Sequence, residues 1–137
     1  MDASSAPPPF EARVDPEEGL GTVRFAGRVT GADMRAGAAT LFALPEWEDS
    51  FDVIWDCSRV EAHIMGPEEM QPLVDEVTEH GRGHDALVES QVAAEDMVGD
   101  LLVRFIRRRG KSASSHANME GALRSLNRES LPPSLVW

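Results

Sequence analysis

The sequence predicts an α/β domain: a mixed sheet of four to five strands, opened by an N-terminal hairpin and covered by about four helices. Three observations carry that prediction. Stretches with the period-2 pattern of strands alternate along the chain with stretches of helical period. The compact apolar run "FDVIWDC", Phe51 to Cys57, suits a central strand covered on both faces. The turn-rich "DPEEGLG" separates the first two extended stretches, which therefore pair as a hairpin.

The elements follow in order. Phe10–Val14 and Thr22–Val29 form the hairpin, with Val23, Phe25 and Gly27 on one side of the second strand and Arg24, Ala26 and Arg28 on the other. In "TGAD", Thr30 accepts from the backbone while Asp33 reaches back, a capping box that starts a helix. Met34, Ala38, Leu41 and Phe42 line one face of that helix. The central strand is expected to stop at Cys57, with Asp56 tying down a loop to His63. Gly66-Pro67-Glu68-Glu69 opens the next helix: proline fits the first turn, and the carboxylates suit the positive helix end. Its apolar stripe is Met70, Leu73, Val74 and Val77, and "HGRGH" ends it. A strand over Ala86–Val92, an apolar helix over Met97–Ile106, an edge strand at "SASSHA" and a short helix capped by Asn118 complete the domain. Strands alternating with helices imply parallel pairing through right-handed crossovers. Residues 1–9 read as a disordered lead-in, 10–127 as one domain, and 128–137 as a tail whose Leu135, Val136 and Trp137 tuck onto the domain or onto a partner chain.

Composition narrows the function classes. The 137 residues include 24 acidic and 13 basic side chains, for a net charge of −11. From Glu46 to Asp100 there are 16 acids and two bases, whereas Leu101 to Trp137 holds seven bases and two acids. A field of that sign repels phosphate backbones, so nucleic acid is not an expected partner. The basic cluster "RFIRRRGK", Arg104 to Lys111, reads as a solvated helix end, where cations favour the dipole. No apolar run approaches the ~18 residues of a membrane span, and "MDASSAPPPF" lacks the basic and apolar regions of a signal peptide. A single cysteine allows no internal disulfide, and the simplest location is cytoplasmic.

The candidate chemistry is sparse. Asp56-Cys57-Ser58 lies at the expected carboxyl end of a central strand, where open α/β sheets gather ligands. A nucleophilic Cys57 would need a base such as His63 to lower its thiol pKa; the commoner use is a buried cysteine acting as a small hydrophobe. His80 and His84 have an i, i+4 spacing, but Gly81 and Gly83 between them argue for a turn. With His63 and His116 they complete the histidines, and nothing among them specifies a metal site or a cofactor. Glu68-Glu69 and Asp75-Glu76 are adjacent pairs, which point about 100° apart on a helix and do not face each other across a site. Met34, Met70, Met97 and Met119 are each expected on an inner helix face. Filling a core is the usual role of such residues. A pocket lined by Met70, Leu73, Met97, Leu101 and Phe105 is the alternative, and would hold an apolar small molecule.

The segment "VRFAGRVTGADMRAGAATLFALPEWEDSFDVIWDCSRVEAHIMGPEEM" and the closing "HANMEGALRSLN" together resemble the SpoIIAA-like branch of the STAS superfamily, over roughly Gly21 to Asn127. The resemblance implies an α/β domain that acts by binding other proteins, without catalysis or cofactor, and a homodimer as one form. The switch hydroxyl of that family would fall near Met65-Gly66, where this chain has none, so the phosphorylation switch is expected to be absent. The interaction surface expected by resemblance is the loop and helix start carrying Ser58, Glu61, His63, Ile64, Met65, Glu68 and Glu69. A hydrolase or transferase built on Cys57 and His63 is the remaining alternative.

Overall fold

The computed structural model describes residues 9–93 and 97–137; the expected lead-in lies, as far as residue 8, outside the described residues. The elements run β1 (Phe10–Asp15), β2 (Leu20–Thr30), α1 (Gly31–Phe42), β3 (Asp52–Ile64), α2 (Pro67–His80), β4 (Asp85–Val88), α3 (Val98–Arg108), β5 (Ala113–His116) and α4 (Met119–Ser125), followed by a 3₁₀ turn at Pro133–Leu135. The five strands are ordered β1-β2-β3-β4-β5. β1 pairs antiparallel with β2, and every later pairing is parallel. This is the mixed α/β sheet with an opening hairpin that the pattern of elements predicts.

Because each parallel step moves the same way across the sheet, right-handed crossovers put α1, α2 and α3 on one face. Val23 and Phe25 of β2, Val53, Trp55 and Cys57 of β3 and Leu87 of β4 meet Met34, Leu41, Met70, Leu73, Val77, Leu102 and Ile106 of the helices there. On the other face, Leu20, Ile54, Ala86 and Val88 are closed over by Ala122 and Leu123 of α4 and by Leu135 of the tail. The tail thus folds onto its own domain. Ser134 Oγ donates to Asp15 at 2.6 Å, Arg13 donates to the Val136 carbonyl at 3.1 Å, and the Trp137 ring lies 4.2 Å from the Arg13 guanidinium.

The capping box forms as expected: Asp33 N donates to Thr30 Oγ1 at 3.0 Å and Thr30 N to Asp33 Oδ2 at 2.9 Å. "HGRGH" ends α2 at His80, and Gly83 is obligatory beyond it. A Cβ there would overlap the carbonyl oxygen of Phe51.

Three expectations need correction. The central strand does not stop at Cys57 but runs on to Ile64, because β2 continues to Thr30 and offers it a partner. β4 pairs only with Val53–Asp56, and β1 reaches only Phe25. Beyond those points β2 and β3 form a two-stranded arm that buries Val29 and Val60 and exposes Ser58, Arg59 and Glu61, so its sequence is largely polar and does not read as a covered central strand. The strand expected over Ala86–Val92 ends at Val88, since Ser90 turns the chain by accepting from Val92 N and Ala93 N while donating to the Val60 carbonyl. In α3 the buried residues are Val98, Leu102, Val103 and Ile106; Leu101, about 100° round the helix from Leu102, faces outward.

Replacing Thr30 by Ala removes the α1 cap and is expected to cost about 1 kcal/mol. A lower urea midpoint at unchanged slope would report it.

Candidate interaction surface

The β2–β3 arm determines where the expected interaction residues lie. Two register shifts bend it: Phe25 faces both Cys57 and Ser58, and Glu61 is an extra residue between Val60 and Ala62. Asp56 closes the first shift, accepting from Ser58 N at 3.0 Å and from Ser58 Oγ at 2.6 Å. Asp56-Cys57-Ser58 is therefore a bulge inside a strand rather than its end, and Asp56 ties down the bulge, not a loop to His63. Ser58 and Glu61 are exposed, and Ile64 is 43% exposed at the tip of the arm. Met65 packs partly against the core. His63 and Cys57 border one small cleft with Glu89, Ser90 and Met97, of about 10 Å³.

Both strands of the arm feed directly into helices, so the N-termini of α1 and α2 lie side by side. Glu69 Oε1 accepts from Gly66 N at 2.9 Å, and its side chain crosses Gly31 so closely that any Cβ there would collide with it. Between the two helices runs an open groove of about 510 Å³. Gly31, Ala32, Ala36 and Ala39 of α1 and Pro72 of α2 form its floor; Arg35, Glu68, Glu69 and Glu76 form its walls. Pro72 carries no N–H, so the Glu68 carbonyl has no i+4 donor within the helix. Of the expected surface, Glu68 and Glu69 reach this groove. The α1 side was not anticipated, although small residues at 32, 36 and 39, opposite Met34, Ala38 and Leu41, are its sequence signal.

The residues expected to line an apolar pocket are divided between the core and the surface. Met70 and Leu73 are core residues, Phe105 packs partly against the core, and Met97 and Leu101 are 48% and 38% exposed. The void between helices and sheet, bounded by Phe25, Met34, Trp55, Leu73 and Leu102, measures about 10 Å³, room for one water.

Two polar clusters lie elsewhere. Asp85 is buried, with Lys111 Nζ 2.6 Å from its Oδ2 and the Trp55 indole donating to its Oδ1 at 2.9 Å. Burial pushes this carboxyl up, against the pull of Lys111 and Trp55. Lys111 is thus no part of a solvated helix end: its side chain is 7% exposed. At the β5 edge, His84 Nε2 and His116 Nε2 each lie 2.7 Å from Ser114 Oγ, and His84 Nδ1 lies 2.5 Å from Ser112 Oγ. One hydroxyl has one proton, so Ser114 donates to one imidazole and accepts from the other. Burial holds both imidazoles below the usual range; for His84 the pull of Asp52 opposes this and His116 adds to it. His80 is apart from them, stacked on Phe42 and 3.3 Å from Glu76. Burial and the adjacent Asp100 carboxylate raise Glu89. Among the described residues no three or more His, Cys, Asp or Glu side chains gather as metal ligands, and no helix is long and apolar enough to cross a membrane.

Among solved structures, that of the anti-sigma factor antagonist SpoIIAA in its unphosphorylated form is similar to this chain, with a TM-score of 0.44 at 15% identity over 86% of this chain and 97% of that one. No family model and no curated protein matches.

Lys111→Met leaves Asp85 buried without its cation and is expected to cost about 3–5 kcal/mol near pH 7. The cost shrinks toward pH 4, where the raised carboxyl takes up a proton; denaturation curves at the two pH values measure the difference. The histidines have the opposite sign. Their folded pKa values lie below the unfolded one, so stability is lost as pH falls below about 6.5. Melting temperature is expected to drop between about pH 7.5 and 5.5, and a His84→Gln/His116→Gln variant to lose most of that dependence.

Proposed function

We propose that this chain is a non-enzymatic binding or regulatory domain that acts by contact with another protein, at the surface running from the tip of the β2–β3 arm onto the start of α2. The observation that carries this reading is the exposure of Ile64, a large apolar side chain at the end of the β2–β3 arm, paired with Thr30 just ahead of Gly31, where the open groove begins. Exposed apolar groups with a polar surround are the common form of protein contact sites. Met65 and Gly66 carry no hydroxyl, so the proposed contact is one that operates without phosphorylation at the α2 entrance. The small voids of the interior give a lipid-like ligand no room comparable to the ~300 Å³ of an ordinary ligand site.

A photo-crosslinking phenylalanine analogue placed at Ile64 in the intact chain tests the proposal in cells. A protease-sensitive adduct at 64, with none from the same group at Glu120 on the opposite face, is expected. Equal labelling at both positions, or none at 64, would sink the reading.

A further inference from the structure

The layer of three helices carries a second exposed surface, unlike the groove. On α3, Leu101 and Phe105 stand four residues apart, with Arg104 and Arg108 on the same outward side, and Met97 precedes the helix as its N-cap. Met97 and Leu101 are 48% and 38% exposed, and the Arg108 guanidinium lies 5.5 Å from the centre of the Phe105 ring. Arg109 is committed elsewhere, 2.7 Å from Asp75 of α2, and Arg107 donates to the Ala113 carbonyl. An apolar ridge with two outward arginines therefore stands beside a groove with a small-residue floor and glutamate walls.

We propose that the α1–α2 groove is filled by α3 of a second copy of this chain. The contact deepens the protein-binding reading by naming the partner, and it rests on that reading. Met97, Leu101 and Phe105 meet Ala32, Ala36 and Ala39, whose short side chains let a helix approach closely. Arg104 and Arg108 meet Glu68 and Glu76. The wall already holds one cation, Arg35, 4.0 Å from Glu76, so three glutamates face one arginine and the groove keeps a net negative charge. The Glu68 carbonyl, deprived of a helical donor by Pro72, is a further acceptor for an arginine. Each copy carries −11, but that repulsion acts between surfaces and is screened beyond about 8 Å at physiological salt, whereas the paired side chains meet in contact. Since α1, α2 and α3 cover the same face of the sheet, one two-fold axis along α2 lets both copies make the same contact.

Sedimentation velocity on the full chain, with charge-reversed variants, decides the matter. The wild type is expected to be a dimer. Glu68→Arg/Glu76→Arg and Arg104→Glu/Arg108→Glu should each weaken it at least about tenfold, or 1.4 kcal/mol. An equimolar mixture of the two should dimerise again, since one contact is then native and the other reversed but matched. Ala36→Trp, which fills the groove without changing charge, should also give monomer. Circular dichroism checks that each variant is folded. A wild-type monomer overturns the inference, as does a dimer indifferent to these substitutions or a mixture that stays monomeric. A monomer that still forms the Ile64 adduct with a different polypeptide overturns this inference alone; a charge-dependent dimer with no adduct at Ile64 removes the arm tip from the function and keeps the groove.

Discussion

The parallel pairing of β2 with β3 is the constraint on which the remaining architecture depends. It joins Leu20–Thr30 to Asp52–Ile64, far longer than the four-residue ladders that hold β4 and β5. Its first half is the centre of the sheet, buried by helices on one side and by α4 and the tail on the other. Its second half outruns every neighbour and becomes an arm. Because β2 passes into α1 and β3 into α2, the arm fixes the two helix N-termini beside each other and thereby forms the groove. The two register shifts, the first closed by Asp56 and Ser58, let a pair that long bend around the core instead of projecting straight from it.

The polar interactions inside the fold secure the thinner edge. β4 and β5 have few ladder hydrogen bonds, and the buried Asp85–Lys111 pair spans them, with Trp55 of β3 supplying the third partner. A buried ion pair contributes little net stability, because desolvation offsets its Coulomb attraction, yet losing either member is costly. Its effect is to hold the strand leading into β5 at one register against β4. Ser112, His84, Ser114 and His116 continue the same junction toward solvent. These groups fasten an edge strand and take no part in the lining of the α1–α2 groove.

Much of the fold was legible in the sequence, and the reasons are local. Thr30 and Asp33 announced α1, Gly66-Pro67 announced α2, and the apolar stripes of both helices turned inward as their spacing required. The candidate surface was legible in part. Glu68 and Glu69, named through the resemblance, do line the groove, but the α1 wall was not anticipated, since Ala32, Ala36 and Ala39 carry no chemistry that marks them. Leu101 was misplaced because apolar character alone does not say which side of a helix faces the core when Leu101 and Leu102 are adjacent, and Met97 because the helix begins after it, at Val98.

What the sequence determined by itself is the succession of strands and helices, because caps, turn residues and hydrophobic period act within a few residues of one another. It also set the acidic character of the middle of the chain and the basic character of its end. Tertiary structure alone decided that β3 continues past Cys57, that Lys111 is buried against Asp85, and that two helix N-termini meet to leave a groove. Each depends on a partner distant in sequence: β2 for the arm, β4 for the lysine, and α1 beside α2 for the groove. A strand whose far half is bulged and buried on one face only, at Cys57 and Val60, does not keep the alternation that would mark it, and a charged residue is recognisable as buried only when its counter-charge has been placed.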